Sequence, residues 1–263
     1  MAIVPLAISC SVGGGGGSRE SSEGATDPSC ALDGDLVIGT ASPPRTPWVD
    51  GDPADGSGFE AALIKELVRR LEVDADRVRM VSVPDGEVVN AAERFDIGVG
   101  QYRESSAAGV AYSRGYYRVP QAVVTTRKEV RPTSRAELRA TEVAVVAGSA
   151  GALLATRGSP RAKVTSYGDL GSVSDALRDR REATAIVDLP DADELMARVP
   201  AARLVGLARS PGKGAPQLRI ALPAGSGLVG CVDRVLDDLE AEGVLRALDE
   251  RWLRDAWKAT TLR

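Results

Sequence analysis

From Asp35 onward, short runs rich in β-branched residues alternate with segments of helical periodicity. Strands joined through helices form mainly parallel sheets that need cover on both faces, so this alternation restricts the chain more than any other feature. "DLVIGTA" leads through the turn-rich "SPPRTPWVDGDPADGSG" into "FEAALIKELVRRL", where Phe59, Leu63, Leu67 and Leu71 recur at four-residue spacing and mark one buried helix face. Ser57 and Glu60 have the spacing of a capping box. "RVRMVSVP" then predicts a strand, "DGEVVNAAER" a short helix and "FDIGVG" another strand. The alternation resumes with "QAVVTTR", "EVAVVAG", "KVTSYG", "SVSDALRDR", "ATAIVDLP", "ELMAR", "RLVGLA" and "LRIALPAG". A helical pattern from Leu228 to Trp257 closes the chain, with Gly243 breaking it or joining two helices. At 263 residues there is length for two lobes or one large domain.

In open sheets of this kind, ligands bind outside the carboxyl ends of strands, where loops and helix N-termini supply polar groups. Three loops qualify: those after "VIGTA", "DIGVG" and "AVVAG". What binds there is narrowed by the absence of histidine. That zero removes Ser-His-Asp and Cys-His pairs, His-ligated zinc and the usual near-neutral general base. "AGSAG" has Ala147 where a nucleophile elbow needs its first glycine, and "GLARSPGKG" has the wrong glycine spacing for a phosphate loop. "DLPDADE" lacks the spacing of a calcium loop and reads as a solvated helix start. With a net charge of -4 and dispersed basic residues, nothing points to nucleic acid. No cofactor or metal is implied.

The N-terminus reads as three parts. "MAIVPLAIS" is apolar but too short to span a bilayer, which needs about 20 residues. Cys10 follows directly, and then a Gly/Ser-rich tether. "LAISC" resembles a bacterial lipobox, which implies that Cys10 is the diacylated first residue of a mature lipoprotein; the other reading is an incidental cysteine. If Cys10 is lipidated, Cys30 and Cys231 remain as an even pair in a compartment that permits disulfides, and a bridge between them would close a loop of about 200 residues. Two unrelated buried thiols are the alternative.

The order of the pieces resembles the extracytoplasmic solute-binding proteins of ABC importers, polar amino-acid type, of the actinobacterial lipoprotein kind. The likeness covers about residues 34 to 255 and rests on "LVIGTASPPRTPW", "GFEAALIKEL", "FDIGVGQY…YSRGYY", "VAVVAGSAGALL", "ATAIVDLPDADEL" and "VDRVLDDLEAEGVLRALDERWL". It implies an α/β, two-lobed, type 2 periplasmic-binding-protein-like fold, each lobe a mainly parallel sheet flanked by helices, with "VPQAVVTTR" and "LRIALPA" as the two hinge crossings. The expected division is a signal tail at 1–9, a lipid-anchored tether at 10–33, lobe one at 34–120 and lobe two at 121–217. The chain then returns to lobe one at 218–263. Cys231 then falls in lobe one beside the N-terminal strand, where a bridge to Cys30 requires it.

The resemblance also implies a ligand site. Asp188 matches the aspartate that takes a ligand's ammonium, with helix capping as its other reading. Ser106 stands where the family has its carboxylate-binding arginine. Arg103 or Arg45 could substitute, unless both are merely exposed. Gly148, Ser149 and Ala150 offer backbone amides, and Trp48 either packs over the ligand or belongs to the core. Glu60 remains of the family's acidic pair, since Ala62 replaces its second member. Gln101 and Tyr102 complete the loop after "DIGVG". The implied function is to capture a small polar solute, an amino acid above all, and to deliver it without chemistry to an ABC permease. The protein would act as a monomer on the outer face of the cell membrane. The rival expectation is a degenerate sensor or interaction lipoprotein on the same fold.

Overall fold

The computed structural model describes residues 30, 32, 34–84, 86–138, 141–156, 163–210, 215–254, 256–257 and 260–262. Cys10, the signal tail and nearly all of the tether lie outside them. In chain order the elements are β1 (Leu36–Ser42), α1 (Phe59–Arg70), β2 (Val78–Pro84), β3 (Ile97–Val99), β4 (Val110–Arg118), β5 (Gln121–Thr125), α2 (Arg135–Leu138), β6 (Val143–Val146), α3 (Ala150–Thr156), β7 (Val164–Tyr167), α4 (Leu170–Arg178), β8 (Thr184–Asp188), α5 (Leu189–Arg198), β9 (Arg203–Ala208), β10 (Gln217–Pro223), α6 (Val229–Ala241), α7 (Val244–Leu248) and β11 (Thr260–Leu262).

They form two sheets, ordered β2-β1-β3-β10-β4 and β11-β9-β5-β8-β6-β7. Each is parallel where helices link successive strands and antiparallel around β10 or β5, the strands that follow the first two passages between sheets. Thus β1 runs parallel to β2 and β3, while β10 runs antiparallel to β3 and β4. In the second sheet β6 is parallel to β7 and β8, and β5 is antiparallel to β8 and β9. The strands expected as crossings are each absorbed into one sheet. The first passage is only Val119–Pro120, between β4 and β5, and the second lies between β9 and β10. A third passage was not expected: after α7 in lobe one, the chain returns so that β11 pairs with β9 on the edge of the second sheet.

Local chemistry explains where elements begin. Helix α1 buries Phe59, Leu63, Ile64 and Leu67 on the face that the spacing predicts. Its start differs from the expected capping box. Gly58 is the N-cap, with no side-chain cap, at φ 103; a Cβ there would fall 2.5 Å from the Trp48 carbonyl oxygen. The carbonyls of Pro47 and Trp48 accept from the amides of Phe59 and Glu60, at 3.0 and 2.8 Å. Backbone from the preceding loop thus satisfies the donors a capping box would have served, and Glu60 is left free to turn inward. Over residues 86–94 the expected helix is likewise no α-helix but a series of turns ending in a 3-10 turn at Ala92–Arg94, after Gly86 in the left-handed region at φ 78. Gly243, also left-handed at φ 77, separates α6 from α7 as expected.

The cysteine pairing is settled: Cys30 and Cys231 form a disulfide across a sequence separation of 201. Both are buried, and Cys231 lies on α6. No helix among the described residues is long and apolar enough to cross a membrane.

Candidate functional site

The loops after β1 and β3 face the start of α5 across a cleft of about 440 Å³. Arg45, Gln101, Tyr102 and Arg103 line it from one lobe, and Asp191 and Glu194 from the other. Four of the residues expected at the ligand site therefore meet here.

Arg103 spans the cleft. Its Nη2 donates to Asp191 Oδ1 at 2.9 Å, and its Nε lies 3.1 Å from Asp188 Oδ2. Asp188 is the N-cap residue of α5 by position, yet its side chain caps nothing. Its Oδ1 instead accepts from Gln121 Nε2 at 2.6 Å. The same amide nitrogen donates to Ser210 Oγ at 2.9 Å, and Ser210 Oγ donates to the Val119 carbonyl at 2.5 Å. A polar chain thus runs from the cleft through Asp188 to both passages of the hinge, because Val119 lies in the first and Ser210 in the second. Burial raises the Asp188 carboxyl above its ordinary value while Arg103 and Gln121 oppose that shift. Burial also works against the charge on Arg103, but Asp191 and Asp188 outweigh it and its pKa rises.

Glu60 does not line the cleft: it is fully buried. One of its oxygens accepts from the Gln101 amide at 2.8 Å and from the Tyr116 hydroxyl, and the other accepts from the Gln101 side chain. Gln101 has φ 53, a left-handed conformation uncommon for a non-glycine residue. Glu60 thus holds the first residues of the cleft loop from behind. Burial raises its carboxyl above the ordinary value, against the hydrogen bonds from Tyr116 and Gln101.

Trp48 takes the core reading: it is 1% exposed and packs edge-on against Phe59 and Tyr117. Ser106 is exposed, and Ser105, not Ser106, lines the cleft. Gly148, Ser149 and Ala150 follow β6; Ser149 Oγ accepts from the Ala152 amide at 3.1 Å, and none of the three lines this cleft. Sequence reasoning missed Gln121, Ser210 and Asp191. The first had a signal, a polar residue at the head of an otherwise apolar strand.

Asp193, on α5 beside these groups, has its carboxyl pushed up to about 7 by burial, against the pull of Arg45. Its Oδ2 has no hydrogen-bond partner among the described residues. A carboxyl raised from an ordinary 3.8 binds an extra proton in the folded state between about pH 4 and 7, so its contribution falls as pH rises through that window. Asp193→Asn removes the titration. The melting temperature of the variant minus that of the wild type should grow from pH 4 to 7 and then level off; a difference independent of pH would show that Asp193 is not perturbed.

Neither a family model nor a curated protein matches this sequence. Solved structures do. An ancestral arginine-binding protein bound to arginine is 20% identical, with TM-score 0.52, over 85% of this chain and 100% of that one. The solute receptor for L-cysteine of Neisseria gonorrhoeae is 21% identical, with TM-score 0.51, over 84% of this chain and 90% of that one. The chain has the two-lobed periplasmic-binding-protein fold. An ancestral cyclohexadienyl dehydratase is similar as well, 23% identical, with TM-score 0.52, over 84% of this chain and 93% of that one. At these identities the likeness is one of fold, and the fold serves both binding and catalysis.

Proposed function

We propose that this protein is an extracytoplasmic, lipid-anchored solute receptor that captures a small polar solute between its lobes and presents it to an ABC permease without chemical change. The observation that carries this reading is the charged cleft, in which carboxylates at the end of β8 and the start of α5 meet Arg103 of the opposite lobe, with Arg45 beside it. A zwitterion needs both signs of charge, because burying either one unpaired is very costly. The arginine and cysteine receptors of the same fold favour an amino acid. Cys10 would carry the anchor. A second reading, a sensor or interaction lipoprotein with a weakened site, is favoured by one feature: Arg103 already engages both Asp188 and Asp191.

The test is a thermal-shift screen of the twenty amino acids and then of other small zwitterions and amines. A ligand at about 100 times its Kd adds about 2.7 kcal/mol, which moves the melting temperature of a chain this size by several degrees. Asp188→Ala should abolish the shift for any hit. No stabilisation by any candidate would overturn the receptor reading in favour of the sensor.

A further inference from the structure

We infer that Arg103 is a built-in occupant of the cleft's cation subsite, and that a solute binds by placing its own guanidinium or ammonium group between Asp188 and Asp191 as Arg103 withdraws. The inference rests on the cleft being the solute site.

The two halves of the subsite are held differently. Asp188 has a side chain 13% exposed and is fixed from below by Gln121, itself fully buried and tied to Ser210. Those contacts do not involve Arg103, so the carboxylate keeps its place when the guanidinium leaves. Arg103 has a side chain 38% exposed and enters from a loop whose next six residues, 104–109, are all exposed. It crosses from one lobe to the other, so its two ion pairs also fasten the lobes together without solute. An entering anion would have to take Arg103 from two carboxylates at once, whereas an entering cation inherits both of them.

The exchange also balances charge. A ligand cation takes over Asp188 and Asp191, and the released Arg103 can pair with a carboxylate on the same ligand. No charge is left bare, and Arg103 serves as the arginine that position 106 does not provide. The ligand class is therefore a small solute with a guanidinium or primary ammonium head, its affinity rising when a carboxylate is within reach of the withdrawn Arg103. Arg45 faces the same cleft, and Glu194 adds a carboxylate on the α5 side.

Methylguanidinium, ethylammonium and acetate serve as probes, with melting temperature and small-angle scattering of the full chain as readouts. Arg103→Ala should be more open than wild type by scattering. It should bind methylguanidinium at least ten-fold more tightly than wild type and return to the compact profile on binding, with no response to acetate. Arg103→Gln should behave in the same way, which covers an alanine variant that does not fold. Adding Asp188→Asn should remove the rescue. Equal, weak methylguanidinium binding by wild type and both variants, or rescue that survives Asp188→Asn, overturns the inference. Because no natural solute is used, the two readings fail separately. Rescue without any amino-acid hit removes only the amino-acid receptor, and an amino-acid hit without rescue removes only the role of Arg103.

Discussion

Replacing both Cys30 and Cys231 by serine should cost about 5 kcal/mol of stability, the largest single effect expected in this chain. The bridge closes a sequence separation of 201, and in the chain-entropy account a cross-link stabilises by removing conformations from the unfolded state, more of them for a longer loop. At this chain length the loss corresponds to roughly 10–20 °C in melting temperature. The serine hydroxyls add little cost of their own, because Arg234 Nη2, 2.9 Å from Cys30 Sγ, supplies a donor. Urea unfolding of the double variant and of the reduced wild type should give the same lowered midpoint. A midpoint within a few tenths of a molar of the oxidised protein would mean that the unfolded chain is not constrained by this link.

Glu60→Ala comes second, at about 3–5 kcal/mol. The substitution removes the acceptor of the Gln101 amide, the Gln101 side chain and the buried Tyr116 hydroxyl, and each lost hydrogen bond to a carboxyl group costs roughly 1–3 kcal/mol. Relief from burying a carboxyl offsets part of that total. Glu60→Gln keeps the volume and one acceptor oxygen, so it should lose about half as much. The two variants also separate stability from function: in the alanine variant Gln101 has nothing to hold its left-handed backbone, and hydrogen exchange in the loop after β3 should accelerate even under conditions where the core stays protected. If Glu60→Ala unfolds no more readily than Glu60→Gln, the three donors have found other partners and Glu60 is no anchor.

What could be read beforehand followed from periodicity. The apolar spacing of α1 reports which face is buried, and the unbroken β-branched runs of β5, β6 and β8 report strands buried on both faces; that information is local. The errors arose where distant chain decides the outcome. Glu60 reads as a capping acid because Ser57 lies at the right spacing, and as a ligand acid only through the family resemblance, yet the carbonyls of Pro47 and Trp48 already serve the helix start. Trp48 in a loop looks the same from sequence whether it covers a ligand or a core. The pairing of Arg103 with Asp191 joins residues 88 apart on opposite lobes, and no pattern within either segment encodes it. Arg45, Gln101, Tyr102 and Arg103 come together in one cleft because the sheet order brings the loops after β1 and β3 side by side. Of the partners across the cleft, Asp188 was legible as an acid at a strand end, but Asp191 and the Gln121–Ser210 link behind Asp188 were not, because no local pattern ties them to Arg103. β11 escaped notice for a simpler reason: three residues are too few to show a period of two.

That last strand changes how the molecule can be watched. Cys30 is covalently tied to α6 in lobe one, whereas Leu262 is paired into lobe two, so the first and last described residues ride on different bodies. Labels attached at positions 34 and 261, both exposed, would therefore report lobe separation with no label inside the cleft.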